Sequence, residues 1–326
     1  MFHRIPTELS EICSRIFAEN CSLSLPMKIH PSPRCIQTRT SSSILAIFCL
    51  WLTLALLPSA PAATNSVSEL RVATYNLRFA SATGENSWPE RRPLMKEVIH
   101  DMNPDVFGTQ EGLHDQLQDI AKDSPEYQWI GRGRNADGGS EYMAVFYRTT
   151  RLQPLSTNHF WLSDTPEAPG STTWGNSNRR MVTWIKFRDR DNGKEFYFFN
   201  THFDHQIQMA REKSAELLRT RVSELGTNLP IILTGDFNAG AGQNKAYSIL
   251  TDDGFFKDTW AESPKRIGGS TNSFNGFRTP KIEGERIDWI LTRGAVKTES
   301  AEIVTLQPHG QFASDHFPIL TKLLLK

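Results

Sequence analysis

Ser314-Asp315-His316 runs directly into the apolar stretch Phe317-Pro318-Ile319-Leu320, and Thr234-Gly235-Asp236-Phe237-Asn238 follows the apolar run Ile231-Ile232-Leu233. Four more clusters share this form. Asn76 follows Arg71 to Tyr75, Glu111 follows Val106-Phe107-Gly108, His202-Phe203-Asp204-His205 follows Phe196 to Phe199, and Asp288 lies inside Arg286 to Leu291. Polar side chains gathered where buried strands end point to one shared site, because a rigid sheet holds catalytic groups at fixed distances. Asn, Asp, Glu and His in these places suit metal-assisted phosphoryl chemistry. That chemistry needs a cation on a nonbridging oxygen, a base that orients water for in-line attack, and a group that steadies the leaving oxygen.

Each residue type fits one of these tasks. Glu111, just past a buried strand, suits a hard ion such as Mg²⁺; a lone Glu there is more often a neighbour of a helix N-terminus or a solvated side chain, and the company of the other clusters reverses that reading. Asp236 and Asn238 flank Phe237 at a spacing that puts both on one side if the strand continues. Asp236 can then take a proton from water while Asn238 orients the phosphate; Gly-Asp-x-Asn is also a turn composition. A carboxylate such as Asp288, bonded to one imidazole nitrogen of His316, would raise its pKa and leave the other nitrogen for a phosphate oxygen. His202 offers a second donor from the opposite side. His202 and His205 read alternatively as a zinc pair, but no third His or Cys with convincing spacing accompanies them.

The elements that must position these groups are legible as apolar runs of strand length at 71–75, 105–108, 143–147, 181–187, 196–200, 230–234, 286–291, 301–306 and 317–323. Most are apolar throughout, so both faces of the strands should be covered. Helical patterns fall at 93–102, 113–122 and 209–225. Many strands with few helices predict an α/β sandwich of two packed, mostly antiparallel sheets with helices outside. No linker or repeat interrupts 64–326, which reads as a single domain. Long loops at 81–90, 164–180 and 261–281 carry aromatic and cationic residues, the mark of binding loops or of plugs in satellite cores. Trp88, Arg180, Asn275 and Phe277, with Asp204 and His205, are the expected substrate contacts.

Residues 1–63 read as a leader. Ile44 to Leu57 is apolar apart from one Thr, follows Lys28, Arg34 and Arg39, and precedes Ala60-Pro61-Ala62. That is the order of a secretory signal, with cleavage expected after Ala62 or Ala63 and Met27 as the expected true start. At about 1.5 Å per residue the run covers only roughly 21 Å, short of the ~30 Å bilayer core. The expectation is therefore a secreted or periplasmic monomer with no membrane span after cleavage. Cys13, Cys21, Cys35 and Cys49 all lie in the leader, so disulfides and thiolate metal sites are excluded from 64–326. The whole chain has 36 basic and 36 acidic residues; the leader takes five basic and three acidic ones with it, leaving a slight acidic excess. Such a balance is unlike a protein that grips long nucleic acid.

Asn76, Gln110-Glu111, Asn200-Thr201-His202, Gly235-Asp236-Phe237-Asn238, Ile287-Asp288 and Ser314-Asp315-His316, in this order, resemble the endonuclease/exonuclease/phosphatase superfamily across essentially all of 70–326. The superfamily includes pancreatic-type deoxyribonuclease, abasic-site endonucleases, neutral sphingomyelinases, inositol polyphosphate phosphatases and deadenylases. The resemblance implies a four-layer sandwich with the site at one edge of the paired sheets. It assigns Glu111 to Mg²⁺ or Mn²⁺, Asn76 and Asp315 to the vicinity of metal and phosphate, Asp236 to water activation and Asn238 to phosphate. It gives transition-state stabilisation to the His316–Asp288 pair and the leaving-group side to His202. Arg78 stands where abasic-site endonucleases have an acid, and is expected to bind substrate phosphate. Residues 84–93, 200–205 and 271–277 resemble exported or surface bacterial members.

The leading expectation is a secreted, Mg²⁺-dependent phosphoesterase. Its substrate would be a small molecule, a lipid or glycan headgroup, or a short nucleic acid. A nuclease of the deadenylase kind or an endonuclease is the alternative, and a catalytically silent phosphate-binding module is the reading from another class. A pure binder gains little from both a metal site and a water-activating Asp.

Overall fold

The computed structural model describes residues 69–268, 272–278 and 284–326. The expected leader, its apolar segment and its cleavage site lie outside the described residues. Among the described residues no helix is long and apolar enough to cross a membrane.

The strands form two sheets. The first, seven-stranded, runs in the order β10 (Arg266–Ile267), β12 (Val296–Ile303), β13 (Ile319–Leu325), β1 (Glu69–Asn76), β2 (Val106–Gly112), β4 (Tyr142–Arg148) and β3 (Tyr127–Ile130). The second, six-stranded, runs β5 (Leu152–Trp161), β6 (Met181–Asp189), β7 (Glu195–His202), β8 (Ile231–Asp236), β11 (Asp288–Arg293) and β9 (Lys257–Asp258). Pairing is antiparallel except at β1–β2, β10–β12 and β7–β8, so both sheets are mixed.

Alternation along each strand explains the continuously apolar runs. Val72, Val106, Ile232 and Ile290 point into the core between the sheets, together with Phe196, Phe198 and Ile319. Their neighbours Ala73 and Phe107 face outward, under α1 (Trp88–Met102) and α2 (His114–Asp123). On the other sheet Leu233, Trp289 and Leu291 face α3 (Gln208–Glu224) and α4 (Lys245–Thr251). A short α5 (Thr259–Glu262) closes the edge beside β9. The result is the expected α/β sandwich.

Several elements depart from the pattern expected from sequence. β5 is largely polar and half exposed, because it is an edge strand with only one covered side, and Pro154 sits where its register with β6 shifts. β12 starts at Val296 rather than Ala301, its first half reading as polar for the same edge reason. Residues 81–90 are not one loop, since α1 begins at Trp88 with Pro at its first turn, where a missing N–H costs nothing.

A buried polar tie joins the two sheets beneath the strand ends. Gln110 Nε2 donates to Asn200 Oδ1 at 2.7 Å and to Thr74 Oγ1 at 3.1 Å, and Asn200 Nδ2 donates to the carbonyls of Thr109 (2.8 Å) and Ala144 (3.0 Å). Gly108 makes room for it. A Cβ there would lie 2.4 Å from both Asn200 Oδ1 and Thr234 Oγ1. The relative position of the sheets, and so of the groups they carry, depends on this contact.

Candidate active site

Strand register places the polar clusters side by side. Asn76 pairs with Gln110 across β1–β2, His202 with Asp236 across β7–β8, and Asp288 with Asp236 across β8–β11. Beyond the strands the backbone turns sharply. Arg78 (φ 54°), Glu111 (φ 63°), Asn238 (φ 49°) and Phe277 (φ 57°) all occupy the left-handed region. Each such residue costs about 1–3 kcal/mol and persists where the surroundings over-determine it. Asp236 Oδ1 helps to do so at Asn238, accepting its backbone N–H at 2.9 Å.

The segment 272–278 threads between β11 and the Ser314–His316 turn. Ser273 Oγ accepts from the backbone N–H groups of Ile287 (2.9 Å) and Asp288 (3.1 Å), and the N–H of Phe317 donates to Ser273 O at 2.7 Å. Asn275 holds the other side, its N–H on Asp315 O (2.7 Å) and its side chain on Ser314 O (3.2 Å).

Asp236 is the hub. It accepts from Asn76 Nδ2 at 2.9 Å and lies 3.5 Å from His202 Nε2 and 3.8 Å from His316 Nε2. His316 Nδ1 is 3.0 Å from Asp288 Oδ2. Their surroundings push the two histidines in opposite directions. Burial disfavours charge on both, but Asp288 and Asp236 outweigh it at His316 and lift that ring to about 10. At His202 burial is reinforced by Arg180 and Arg134, which hold it neutral, well below the usual histidine value. Burial, reinforced by Asp288, raises Asp236 from the ordinary carboxylate range to about 7. A base that loses its proton near neutral pH, beside an imidazolium donor, is what water activation requires.

These groups open onto a cavity of about 400 Å³. Arg78, Glu111, Arg180, His202, His205, Asp236, Asn238, Asp315 and His316 line it, as do Phe79, Arg134, Glu141, Asn178, Phe274 and Ile287. Asn76 and Asp288 stand behind Asp236 and His316. The other expected substrate contacts do not reach the cavity. Trp88 is buried against the first sheet and donates to Asp119 at 2.9 Å, because helix α1 carries it inward. Asp204 ties down the loop that leads into α3 through the N–H groups of Gln206 (2.9 Å) and Ile207 (2.7 Å), with Arg180 3.9 Å away. Asn275 is committed to the clamp above, and Phe277 lies beside Arg91, 5.8 Å from its guanidinium.

Arg180 is buried, its Nη2 3.2 Å from His205 Nδ1, with Nε and Nη1 lacking any hydrogen-bond partner. Unpaired buried donors are costly, which suits an anion arriving from the cavity. Arg134 and Glu141 escaped sequence reasoning because they lie in a glycine-rich hairpin between β3 and β4, with Glu141 just ahead of β4 rather than past the end of a strand.

Arg91 was also missed. It is fully buried and donates to five carbonyls: Leu77 (2.8 Å), Arg78 (3.0 Å), Phe79 (3.1 Å), Asn86 (2.9 Å) and Ala313 (2.8 Å). It thereby fixes the Arg78–Phe79 turn against the residue preceding Ser314-Asp315-His316. A lysine has no planar fork to serve so many acceptors. Arg91→Lys should lower unfolding free energy by about 1–3 kcal/mol, read by denaturant titration. It should also reduce turnover about tenfold or more through displacement of the site.

The fit to a metal rests on the donor set. Glu111 and Asp315 bracket the Arg78 guanidinium at 3.8 and 3.7 Å, a loose, partly exposed cation held between two carboxylates. Burial raises Asp315, and Glu111 adds to the effect. Two hard oxygen donors that repel one another suit a hard divalent cation. Asn76 turns its amide nitrogen towards Glu111 (3.2 Å) and Asp236, its oxygen being taken by the Arg78 N–H at 3.0 Å, so it orients these carboxylates. Asp236, Asp288 and His316 also bring one ligand atom each within 4.8 Å of one another. There, however, His316 Nδ1 is engaged by Asp288 at 3.0 Å, which leaves only its Nε2 to face an ion.

The sequence profile of the Endonuclease/Exonuclease/phosphatase family matches residues 73–316, a span that contains the whole cavity, and the chain belongs to this family. Its members are metal-dependent phosphoesterases, so the chain is a hydrolase of phosphate ester bonds. Among solved structures it is similar to an endonuclease/exonuclease/phosphatase from Bacteroides vulgatus, at 36% identity and a TM-score of 0.74, over 79% of this chain and 100% of that one. It is also similar to a mannosyl-6-phosphatase from Bacteroides thetaiotaomicron, at 33% identity and a TM-score of 0.73, over 78% of this chain and 99% of that one. Among curated proteins, uncharacterized protein L388 of Acanthamoeba polyphaga mimivirus is 29% identical over 160 residues, 46% of this chain; the match spans 59% of the viral protein's length.

Proposed function

We propose that the chain is an exported, Mg²⁺-dependent phosphomonoesterase acting on a small sugar phosphate. The observation that carries this reading is the shape and lining of the site: a cavity of about 400 Å³ into which the buried Arg180 and the His316 imidazolium both face. That volume is in the range of small-ligand pockets. Two cationic donors converging on one phosphate favour the dianion of a monoester. Similarity to a mannosyl-6-phosphatase supports the same substrate class. Export rests on the apolar run 44–57 and its flanks.

The oxygen of the attacking water bonds to phosphorus as Asp236 takes its proton and the bond from phosphorus to the sugar oxygen breaks; the leaving alkoxide takes a proton from solvent in the open cavity, and Asp236 returns its own to solvent. His316 donates to a nonbridging oxygen as charge builds, held in place by Asp288, while Asn238 fixes the phosphate and His202 stands by Asp236 as a neutral ring. Glu111 and Asp315 would hold Mg²⁺, which would neutralise phosphate charge.

Exposed Phe79 (37%) and Phe274 (45%) at the rim favour a second reading, a nuclease for short single strands that stacks bases on them. Rates with Mg²⁺ on hexose 6-phosphates, p-nitrophenyl phosphate, bis-p-nitrophenyl phosphate and single-stranded RNA and DNA separate the two. Faster turnover of oligonucleotides than of every monoester would replace the sugar-phosphate reading. For the metal, Glu111→Gln keeps the shape but loses the charge, and should raise the Mg²⁺ concentration for half-maximal rate by about tenfold or more, with partial rescue by excess metal. An unchanged metal titration would remove Glu111 from the ligand set.

A further inference from the structure

One wall of the cavity carries no group that moves a proton or holds the phosphate in the mechanism above. Arg134 and Glu141 form a two-armed ion pair, Nη2 to Oε1 and Nη1 to Oε2 both at 2.7 Å, with side chains only 11% and 16% exposed. The hairpin that carries them is rigid. The N–H of Arg134 donates to Glu141 O at 3.0 Å, and the carbonyl of Arg134 accepts from Trp161 Nε1 at 2.7 Å. A Cβ at Gly133 would lie 2.2 Å from Gly138 O, so the chain is folded tightly on itself. Glu141 Oε2 has no hydrogen bond of good geometry despite its burial. Asn178 lines the same cavity.

We infer that the Arg134–Glu141 pair, with Asn178, is a leaving-group subsite that reads neighbouring hydroxyls of a hexose; the inference rests on the sugar-phosphate reading. Two adjacent hydroxyls match a fixed carboxylate and guanidinium. One donates to Glu141, and the other accepts from Arg134. A sugar also has a C–H face that an aromatic ring can cover, and Phe274, packed edge-on to His316 at 5.1 Å, stands exposed at the rim.

The test compares kcat/KM for mannose 6-phosphate and for p-nitrophenyl phosphate, which has no hydroxyls, in wild type, Glu141→Gln and Asn178→Ala. The ratio of sugar ester to aryl ester should fall about tenfold or more in Glu141→Gln, mainly through KM, and in the same direction in Asn178→Ala. Deoxy analogues of the hexose phosphate, assayed on wild type, provide a reading that needs no variant to fold. At least one deoxygenation should cost about tenfold or more. Hexose phosphates turned over with unaltered ratios and no deoxy effect would overturn the subsite and leave the proposed function standing. A wild type that cleaves p-nitrophenyl phosphate but no hexose phosphate would overturn both.

Discussion

Replacing Asp236 with alanine should cut turnover by about 10²- to 10⁴-fold, the usual contribution of a positioned general base, while leaving the fold intact. Asp236 sits at the end of β8 among polar groups, and no part of the hydrophobic core rests on its side chain. The wild-type carboxyl is raised by burial and by Asp288 to about 7. A carboxyl raised in this way contributes its stability fully below the unfolded value, and loses it as pH rises through the folded one. At pH 8 the native protein therefore holds an ionised group it would rather keep neutral, and at pH 5 it does not. The melting temperature of Asp236→Ala relative to wild type should be more favourable at pH 8 than at pH 5. Turnover above half the wild-type rate would remove Asp236 from the chemistry. A relative melting temperature that moves the other way with pH would show that Asp236 is ionised more readily than its surroundings imply.

The parts of this site that were legible in sequence share one property: they end buried strands. A strand covered on both faces has no use for Asn76, Asp236 or Asp288, so each stands out against its neighbours, and its place at a strand end gives its position in space. The same logic found Glu111, His202 and His316. It failed where position is set by something other than an apolar run. Arg134 and Glu141 hang on a hairpin whose glycines mark a turn without saying where it points. Arg91 looks like any helical arginine, and only the folded chain shows the five carbonyls around it. Trp88 misled in the opposite sense. An aromatic beside a proline reads as a loop tip, but Pro89 opens a helix and the ring turns into the core. The left-handed turns at Arg78 and Glu111 have no signature either, since a glycine would ordinarily be expected there. β5 was hidden because an edge strand can be polar without penalty.

Asp288 and His316 should behave as one unit. Their 3.0 Å contact, both groups being buried, means that removing either partner forfeits what the pair does together. His316→Ala and Asp288→Ala should each lower kcat/KM by about 10²-fold or more, and the double variant should be far less damaging than the product of the two losses. Asp288→Asn gives the sharper test, because it keeps the size and changes the charge. Asp288 is the strongest of the influences that lift His316 to about 10, so its loss lets that ring give up its proton at lower pH. Asp288 also helps burial to raise Asp236, so its loss lets that base ionise at lower pH. On the proposed mechanism activity needs Asp236 ionised and His316 protonated, which makes the expected profile of kcat/KM a bell whose limbs belong to the coupled network. Both limbs should therefore move to the acid side in Asp288→Asn, compared with wild type at the same Mg²⁺ concentration because a nearby cation shifts the acid limb in either protein. A lower bell with its limbs unmoved would mean that Asp288 only props the ring in place, and that the charge on His316 comes from elsewhere.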